Sequence, residues 1–283
     1  QPRSRGLGDV YKRQIVEFYN RSTGQLVYSY TIDGSPNAAG LVENYTIEIE
    51  PGDYLVKARI PRKTVIAPHL FKWSFDGTDD VVVVSHDPSL ALTVLSIDVM
   101  FYTINKDVQR DIVAKYQNYE FTISKYNTLG YAFKDTNDTW HGATGSTSIE
   151  VNRWYHGTVS FDGRYIVFYV NGSLDKQIDL GSTYTPKKPT NTLDIGKLYS
   201  SGNYDQYHLN GYIAYVRIYN RTLSESEITT SYNQHIINAS DMVLFLDATF
   251  FNGTHYIDVS GYGNHGVPYG GVDRVSDENK WLW

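Results

Sequence analysis

Residues 152–172 read NRWYHGTVSFDGRYIVFYVNG, followed by LDIG at 193–196 and GYIAYVRIYNRTLSESEI at 211–228. Arg164 to Val170 is rich in β-branched and aromatic residues, which suit a pleated, half-buried surface. Asn171-Gly172 then supplies two residues that tolerate positive φ, as a two-residue hairpin turn requires. Ser224 and Glu227 have the spacing of a capping box, with the hydroxyl taking one amide and the carboxylate reaching back to another. A short helix is therefore expected from about Glu225 to Asn233.

Bulk properties narrow the field. The 283 residues suffice for one large β-domain or two smaller ones, and a 41% hydrophobic content permits a packed core. No apolar run reaches the ~18 residues of a membrane-spanning helix. The best candidate, Val81 to Ile104, is interrupted by His86, Asp87 and Asp98. A net charge of -6 without a basic cluster argues against nucleic acid. With no cysteine, neither a disulfide scaffold nor a thiolate zinc site can form. Tyrosine outnumbers phenylalanine 25 to 11, as expected of sheet faces with one wet edge. Asn20, Asn44, Asn137, Asn171, Asn220, Asn238 and Asn252 each head an N-x-S/T sequon. Chance predicts roughly three at this composition, so a secreted, N-glycosylated protein is expected.

Strand patterns continue on both sides of the opening stretch. Upstream lie WSFDGTDDVVVV at 73–84, then Leu95 to Tyr102 and Tyr119 to Ile123. This ordered set, spanning about 71–232, resembles the laminin-G-like, concanavalin-A-like jelly rolls. The resemblance implies an all-β sandwich that binds or builds at the cell surface, in a family with few enzymes. Residues 15–68 read as a smaller β-unit, with alternating strands at 15–19, 25–30, 45–50 and 54–60 and a Pro51-Gly52-Asp53 turn. Its P-G-x-Y-x-V-x-A pattern resembles small immunoglobulin-like or transthyretin-like sandwiches. Residues 1–14 are aperiodic and read as a flexible arm or an artefact of sequence assembly. The expected organisation is thus an arm, a β-unit at 15–68, a jelly roll at 69–236 and C-terminal strands at 237–283.

Those C-terminal strands are out of order. Met242 to Asp247 and DVSGYGNHG at 258–266 resemble the family's first strand and its following loop, which normally precede the SFDG strand. Three readings stay open. The segment completes its own sandwich, completes a neighbour's in a head-to-tail polymer, or begins a second copy.

No catalytic constellation stands out. Glu48 and Glu50 lack the intervening aspartate of the glucanase E-x-D-x-E strand, and no G-x-S-x-G, P-loop or H-E-x-x-H is present. Calcium is the one plausible cofactor, with hard oxygen ligands from Asp258 and Asn264 or from Asp76, Asp79 and Asp80. The alternative is that these residues bond their own backbone in turns. The loop bearing Tyr199, Asn203, Tyr204, Asp205 and Tyr207 offers rings to stack on sugars and side chains to bond hydroxyls. These observations favour a non-catalytic extracellular protein with an adhesive or structural role, self-associating as a filament subunit or binding other surface proteins. The alternatives are a glycan-binding module of a larger secreted protein and a glycosidase.

Overall fold

The computed structural model describes residues 12–20, 26–33, 54–59, 65–66, 71–197, 207–234, 236–237 and 239–276. The chain divides into two compact units, 1–68 with 236–239 and 69–235 with 240–283. In the first, Lys12–Asn20 (β1) lies between Leu26–Asp33 (β2) and Tyr54–Arg59 (β3), and the two-residue strands Val65–Ile66 (β4) and Ile236–Ile237 (β17) pair. β1 takes in Lys12, Arg13 and Gln14, which the sequence pattern assigns to the arm, and Gln14 pairs with Ile32. The expected strand at 45–50 lies outside the described residues.

The second unit is an antiparallel sandwich. Its strands are Phe71–Asp76 (β5), Val81–Val84 (β6), Leu95–Thr103 (β7), Arg110–Lys115 (β8), Tyr119–Ile123 (β9), Leu129–Lys134 (β10) and Trp140–Thr144 (β11). There follow Trp154–Phe161 (β12), Tyr165–Val170 (β13), Ser173–Asp179 (β14), Leu193–Ile195 (β15) and Asn210–Tyr219 (β16). After helix Glu225–Gln234 (α1) come Met242–Asp247 (β18), Gly266–Tyr269 (β19) and Asp273–Ser276 (β20). One sheet runs β11-β10-β9-β8-β15-β6-β19; the other runs β14-β13-β12-β7-β16-β5-β20, with β18 also on β16.

Trp73, Phe75, Ile97, Val99, Phe121, Phe133, Phe161, Ile213 and Leu246 share one core between the sheets. Each such side chain contributes about 1.5–3 kcal/mol on burial. Asn171 and Gly172 take φ of 50° and 75° at the β13–β14 turn, the mirror-image geometry that hairpins favour.

The displaced C-terminal strands pair inside this chain. β16 is bordered by β7 on one side. On the other, its first half pairs with β5 and its second half, from Tyr215, with β18. β19 extends the opposite sheet beside β6, and β20 lies beside β5.

Helix α1 starts where the capping box predicts. Glu227 Oε2 accepts from the Ser224 amide at 2.9 Å, and Ser224 Oγ accepts from the Glu227 amide at 3.3 Å. Arg221 holds the same carboxylate by two bonds of 2.9 and 2.7 Å. Ser231 and Tyr232 of the helix meet a buried polar hub on the eight-stranded sheet. Asp98 Oδ2 accepts from Arg217 Nη1 at 3.1 Å and Ser231 Oγ at 3.3 Å. Its Oδ1 accepts from Thr158 Oγ1 at 3.0 Å and lies against His156 Nε2. The Arg217 guanidinium also sits 3.8 Å from the Tyr215 ring centre. Burial opposes ionisation of Asp98, but His156, Arg217 and Thr158 outweigh it and hold its pKa below the carboxylate range.

Because the folded-state pKa is depressed, this stabilisation is present above the unfolded value of about 3.9 and is lost as pH falls below it. Asp98→Ala strands a buried guanidinium and is expected to lower the unfolding free energy by roughly 3–5 kcal/mol in urea titration. A loss under about 1 kcal/mol, the range of an exposed pair, would contradict the hub's role.

Candidate functional site

Alternation along the seven-stranded sheet separates a core face from an outer face. Tyr119, Phe121 and Ile123 of β9, with Leu129, Tyr131 and Phe133 of β10, point into the core. The residues between them therefore face outward. Register then aligns Asp194, Ala114, Glu120, Ala132 and Gly142 in one row across five strands. The adjacent row holds Asp111, Thr122, Gly130 and Thr144. Small residues, Ala114 and Ala132, flank Glu120. A Cβ on Gly142 would stand 2.7 Å from the Tyr131 carbonyl oxygen, so this position admits no larger residue without a backbone shift.

A cleft of about 730 Å³ opens at the Thr144 end of these rows. Asn105, Val108 and Gln109 form one wall, Ser124, Lys125 and Tyr126 another, and Tyr207 and His208 a third. Tyr126 is 70% exposed, Val108 47% and Tyr207 37%, so apolar surface faces solvent beside amides and hydroxyls.

A buried arginine ties two of the walls together. Arg110 Nη2 donates to Asn127 Oδ1 at 2.9 Å, and Nη1 donates to Thr103 Oγ1 at 3.2 Å. Asn127 in turn exchanges hydrogen bonds with Asp107, accepting from its amide at 2.9 Å and donating to its carboxylate at 2.7 Å. Burial lowers the Arg110 pKa to about 10, against the pull of Asp107.

Next along β8, Asp111 is buried on the outer face. Its amide donates to the Tyr207 carbonyl at 2.8 Å, and Gln109 Nε2 donates to its Oδ1 at 3.4 Å. Its Oδ2 has no partner. Burial, then the charge of Glu120, push the Asp111 carboxyl well above its usual range. Burial raises Glu120 to about 7.

Of the residues expected to bind ligand, Tyr207 lines the cleft, with φ of 67°. Tyr199, Asn203, Tyr204 and Asp205 lie outside the described residues. Val108, Gln109, Tyr126, Asp111 and Glu120 were not expected. Their one sequence signal is the pair of acids, Asp111 beside Ile112, Val113 and Ala114 and Glu120 between Tyr119 and Phe121.

The two candidate cation loops differ. All four donors around Asp258 come from its own surroundings: the amides of Phe245, Ser260 and Asn264 and the Ser260 hydroxyl, at 2.7–2.9 Å. Asn264 Nδ2 donates to Ser89 Oγ and the Val243 carbonyl. This loop matches the turn reading, with its carboxylate engaged in holding the corner on β18. Asp76, Asp79 and Asp80 instead bring carboxylate oxygens within 4.8 Å of one another. Asp80 Oδ2 accepts from the Asp76 amide at 2.8 Å, and Asp76 Oδ1 accepts from the Thr78 amide at 2.7 Å. The Asp80 pKa is raised, first by burial and further by Asp76, Asp79 and Asp273. This hard-oxygen set fits a divalent cation better than the Asp258 loop.

Among the sequons, Asn137, Asn220 and Asn252 are exposed. Asn171 is half-buried, and its carboxamide oxygen accepts from the His156 amide at 3.0 Å. Asn252 Nδ2 lies 3.0 Å from His255 Nε2. Asn44 and Asn238 lie outside the described residues, and Asn20 is described only as a strand position.

Comparison with known proteins places the fold. The model of the concanavalin A-like lectin/glucanases superfamily, in its laminin G form, matches residues 76–229. The chain belongs to this family. Among solved structures, the chain is similar to a candidate carbohydrate-binding protein from Bacteroides ovatus, at a TM-score of 0.60 and 14% identity. That match covers 74% of this chain and 60% of the Bacteroides protein. A heptameric pentraxin from Limulus polyphemus matches at 0.52 and 16% identity over 77% of this chain and all of its own length. At these identities the likeness is one of fold. No curated protein matches the sequence.

Asn127→Ala removes the acceptor shared by Arg110 and the Asp107 amide. It is expected to cost about 1–3 kcal/mol in urea unfolding and to speed amide exchange in 104–109. Unchanged exchange there would show that the two walls are not coupled through Asn127.

Proposed function

We propose that this chain is a non-catalytic glycan-binding module of an extracellular or cell-surface protein, and that the cleft beside Tyr126 and Tyr207 is its binding site. The cleft carries the reading. Exposed apolar surface on Val108, Tyr126 and Tyr207 adjoins hydrogen-bonding groups on Asn105, Gln109, Ser124 and Thr144. A sugar ring presents the matching chemistry, with an apolar C–H face and a rim of hydroxyls. The family and the sandwich fold agree with this assignment. No helix among the described residues is long and apolar enough to cross a membrane.

Adhesion to glycan-bearing surfaces follows directly from such binding. Assembly into filaments by strand complementation would require β18 to leave β16 and enter a second copy, because this chain's own strand fills that position.

A glycan array probed with the full chain is expected to give saturable binding. Tyr126→Ala and Tyr207→Ala should each weaken it about tenfold, the scale of one aromatic contact. No binding to any glycan, or binding indifferent to both substitutions, would overturn the reading. Hydrolysis of a β-glucan would overturn its non-catalytic part.

Expression in a secreting, glycosylating host is expected to add N-glycans at the exposed Asn137 and Asn220 but not at the engaged Asn171. Intact mass and peptide mapping read this directly, and a bare polypeptide mass would remove the glycoprotein reading. Millimolar calcium should raise the thermal midpoint through Asp76, Asp79 and Asp80, with Asp79→Asn erasing the rise. A rise that survives Asp79→Asn would place the cation elsewhere.

A further inference from the structure

Three Asn-Gly pairs occur in the chain, at 171–172, 210–211 and 252–253. Such a pair can react with itself, because attack of the glycine nitrogen on the asparagine Cγ closes a five-membered ring. Two of the three are held by packing. Asn210 and Gly211 lie in β16 between β5 and β7, with Gly211 against the Tyr102 carbonyl. Gly172 packs on the Tyr232 side chain, and its carbonyl accepts from Thr229 Oγ1 at 3.0 Å.

The third pair is open. Asn252, Gly253 and Thr254 are exposed. A Cβ on Gly253, whose φ is 100°, would meet nothing within 4 Å beyond its chain neighbours. Among the described residues, nothing accepts a hydrogen bond from the Gly253 amide. The turn is nonetheless well anchored. Phe251 and Tyr256 bridge across it, and the Asn252 amide donates to the His255 carbonyl at 3.2 Å. The buried Tyr256 ring meets Trp73 edge-on, with ring centres 5.0 Å apart. None of residues 252–255 lines the cleft.

This turn surrounds the Asn252 carboxamide with partners. Oδ1 accepts from the Thr254 amide at 3.0 Å, the His255 amide at 2.9 Å and Thr254 Oγ1 at 3.0 Å. Nδ2 stands 3.0 Å from His255 Nε2, and His255 Nδ1 stands 2.9 Å from Thr254 Oγ1. The Thr254 hydroxyl gives its hydrogen to Oδ1, so it accepts from Nδ1–H. The lone pair on Nε2 is then left for a hydrogen of Asn252 Nδ2. Three donors thus converge on the oxygen where negative charge develops during ring closure. An imidazole adjoins the nitrogen that must leave.

We propose that Asn252 is a self-modification site, cyclising with Gly253 to a succinimide that opens to aspartate and isoaspartate. The Gly253 nitrogen bonds to Asn252 Cγ and gives its proton to water. The charge on Oδ1 is met by the Thr254 and His255 donors. His255, carrying a proton taken from water, delivers it from Nε2 to Nδ2. The Cγ–Nδ2 bond breaks and ammonia leaves. Water then adds to either ring carbonyl, so the whole sequence consumes one water and releases one ammonia. The product bears a negative charge and lacks the nitrogen to which an N-glycan attaches. Cyclisation and glycosylation at this sequon therefore exclude one another.

The full chain, made in a non-glycosylating host and held at neutral pH, tests the site by peptide mapping that separates aspartate from isoaspartate. Asn252 is expected to convert at least about tenfold faster than Asn171 and Asn210. It should also convert at least about tenfold faster in the folded chain than in the chain unfolded in guanidinium chloride, a low value for one positioned acid–base group. Isoaspartate should appear among the products. His255→Ala should remove the advantage of the folded state while circular dichroism stays unchanged. Conversion no faster folded than unfolded overturns the proposal, as does conversion indifferent to His255→Ala or yielding aspartate alone. If the variant does not fold, the comparison of folded and unfolded wild type decides by itself.

Discussion

Strand β16 is the constraint on which the rest of the second unit depends. It borders β7 along one edge and shares the other between β5 and β18. Arg217, near its end, reaches across to Asp98 on β7 and Ser231 on α1. One side chain thus links two sheet strands and the helix that covers them. A buried ion pair costs desolvation, so its net contribution to stability is modest, but breaking one half of it is expensive. The pair therefore acts mainly as a specification. Only the arrangement that brings β7, β16 and α1 together lets Asp98 accept from both Arg217 and Ser231.

That frame sets the character of the opposite sheet. Consecutive residues of a strand face opposite sides, so Arg110 and Asp111 cannot neutralise one another. The arginine is spent inward, on Thr103, Asn127 and through it Asp107, and holds the rim of the cleft. The aspartate is left outward under the cleft wall with an unpartnered oxygen. Small residues stand in its row and the next, at Gly130, Ala132 and Gly142. A rigid scaffold thereby carries a mixed polar and apolar opening at one end, as binding surfaces on β-sandwiches commonly do.

Much of this was legible in the sequence, for physical reasons that apply residue by residue. The β13–β14 hairpin followed from Asn171-Gly172, because few other pairs accept positive φ at both turn positions. The start of α1 followed from Ser224 and Glu227, whose reciprocal bonds are local. Family resemblance and the observed sandwich agree over residues 76–229. The hub was not legible, because Asp98, His156, Arg217 and Ser231 meet only through register between distant strands. Nor was the cleft. Tyr207 came from composition, but Tyr126 and Val108 are ordinary loop residues until the topology sets them together. Asp258 read either as a cation ligand or as a turn residue, because an acid in a glycine-rich loop has the same appearance as an acid that anchors its own backbone. Only its four donors separate the two.

The central claim is that the C-terminal strands close the sandwich of their own chain. The protein has no cysteine, so a single introduced pair is a clean reporter. Ile218 and Leu244 face each other across β16 and β18. The double variant Ile218→Cys, Leu244→Cys, oxidised and run without reductant, is predicted to migrate as a cross-linked monomer. A ladder of disulfide-linked multimers would contradict the account and place β18 in a neighbouring molecule.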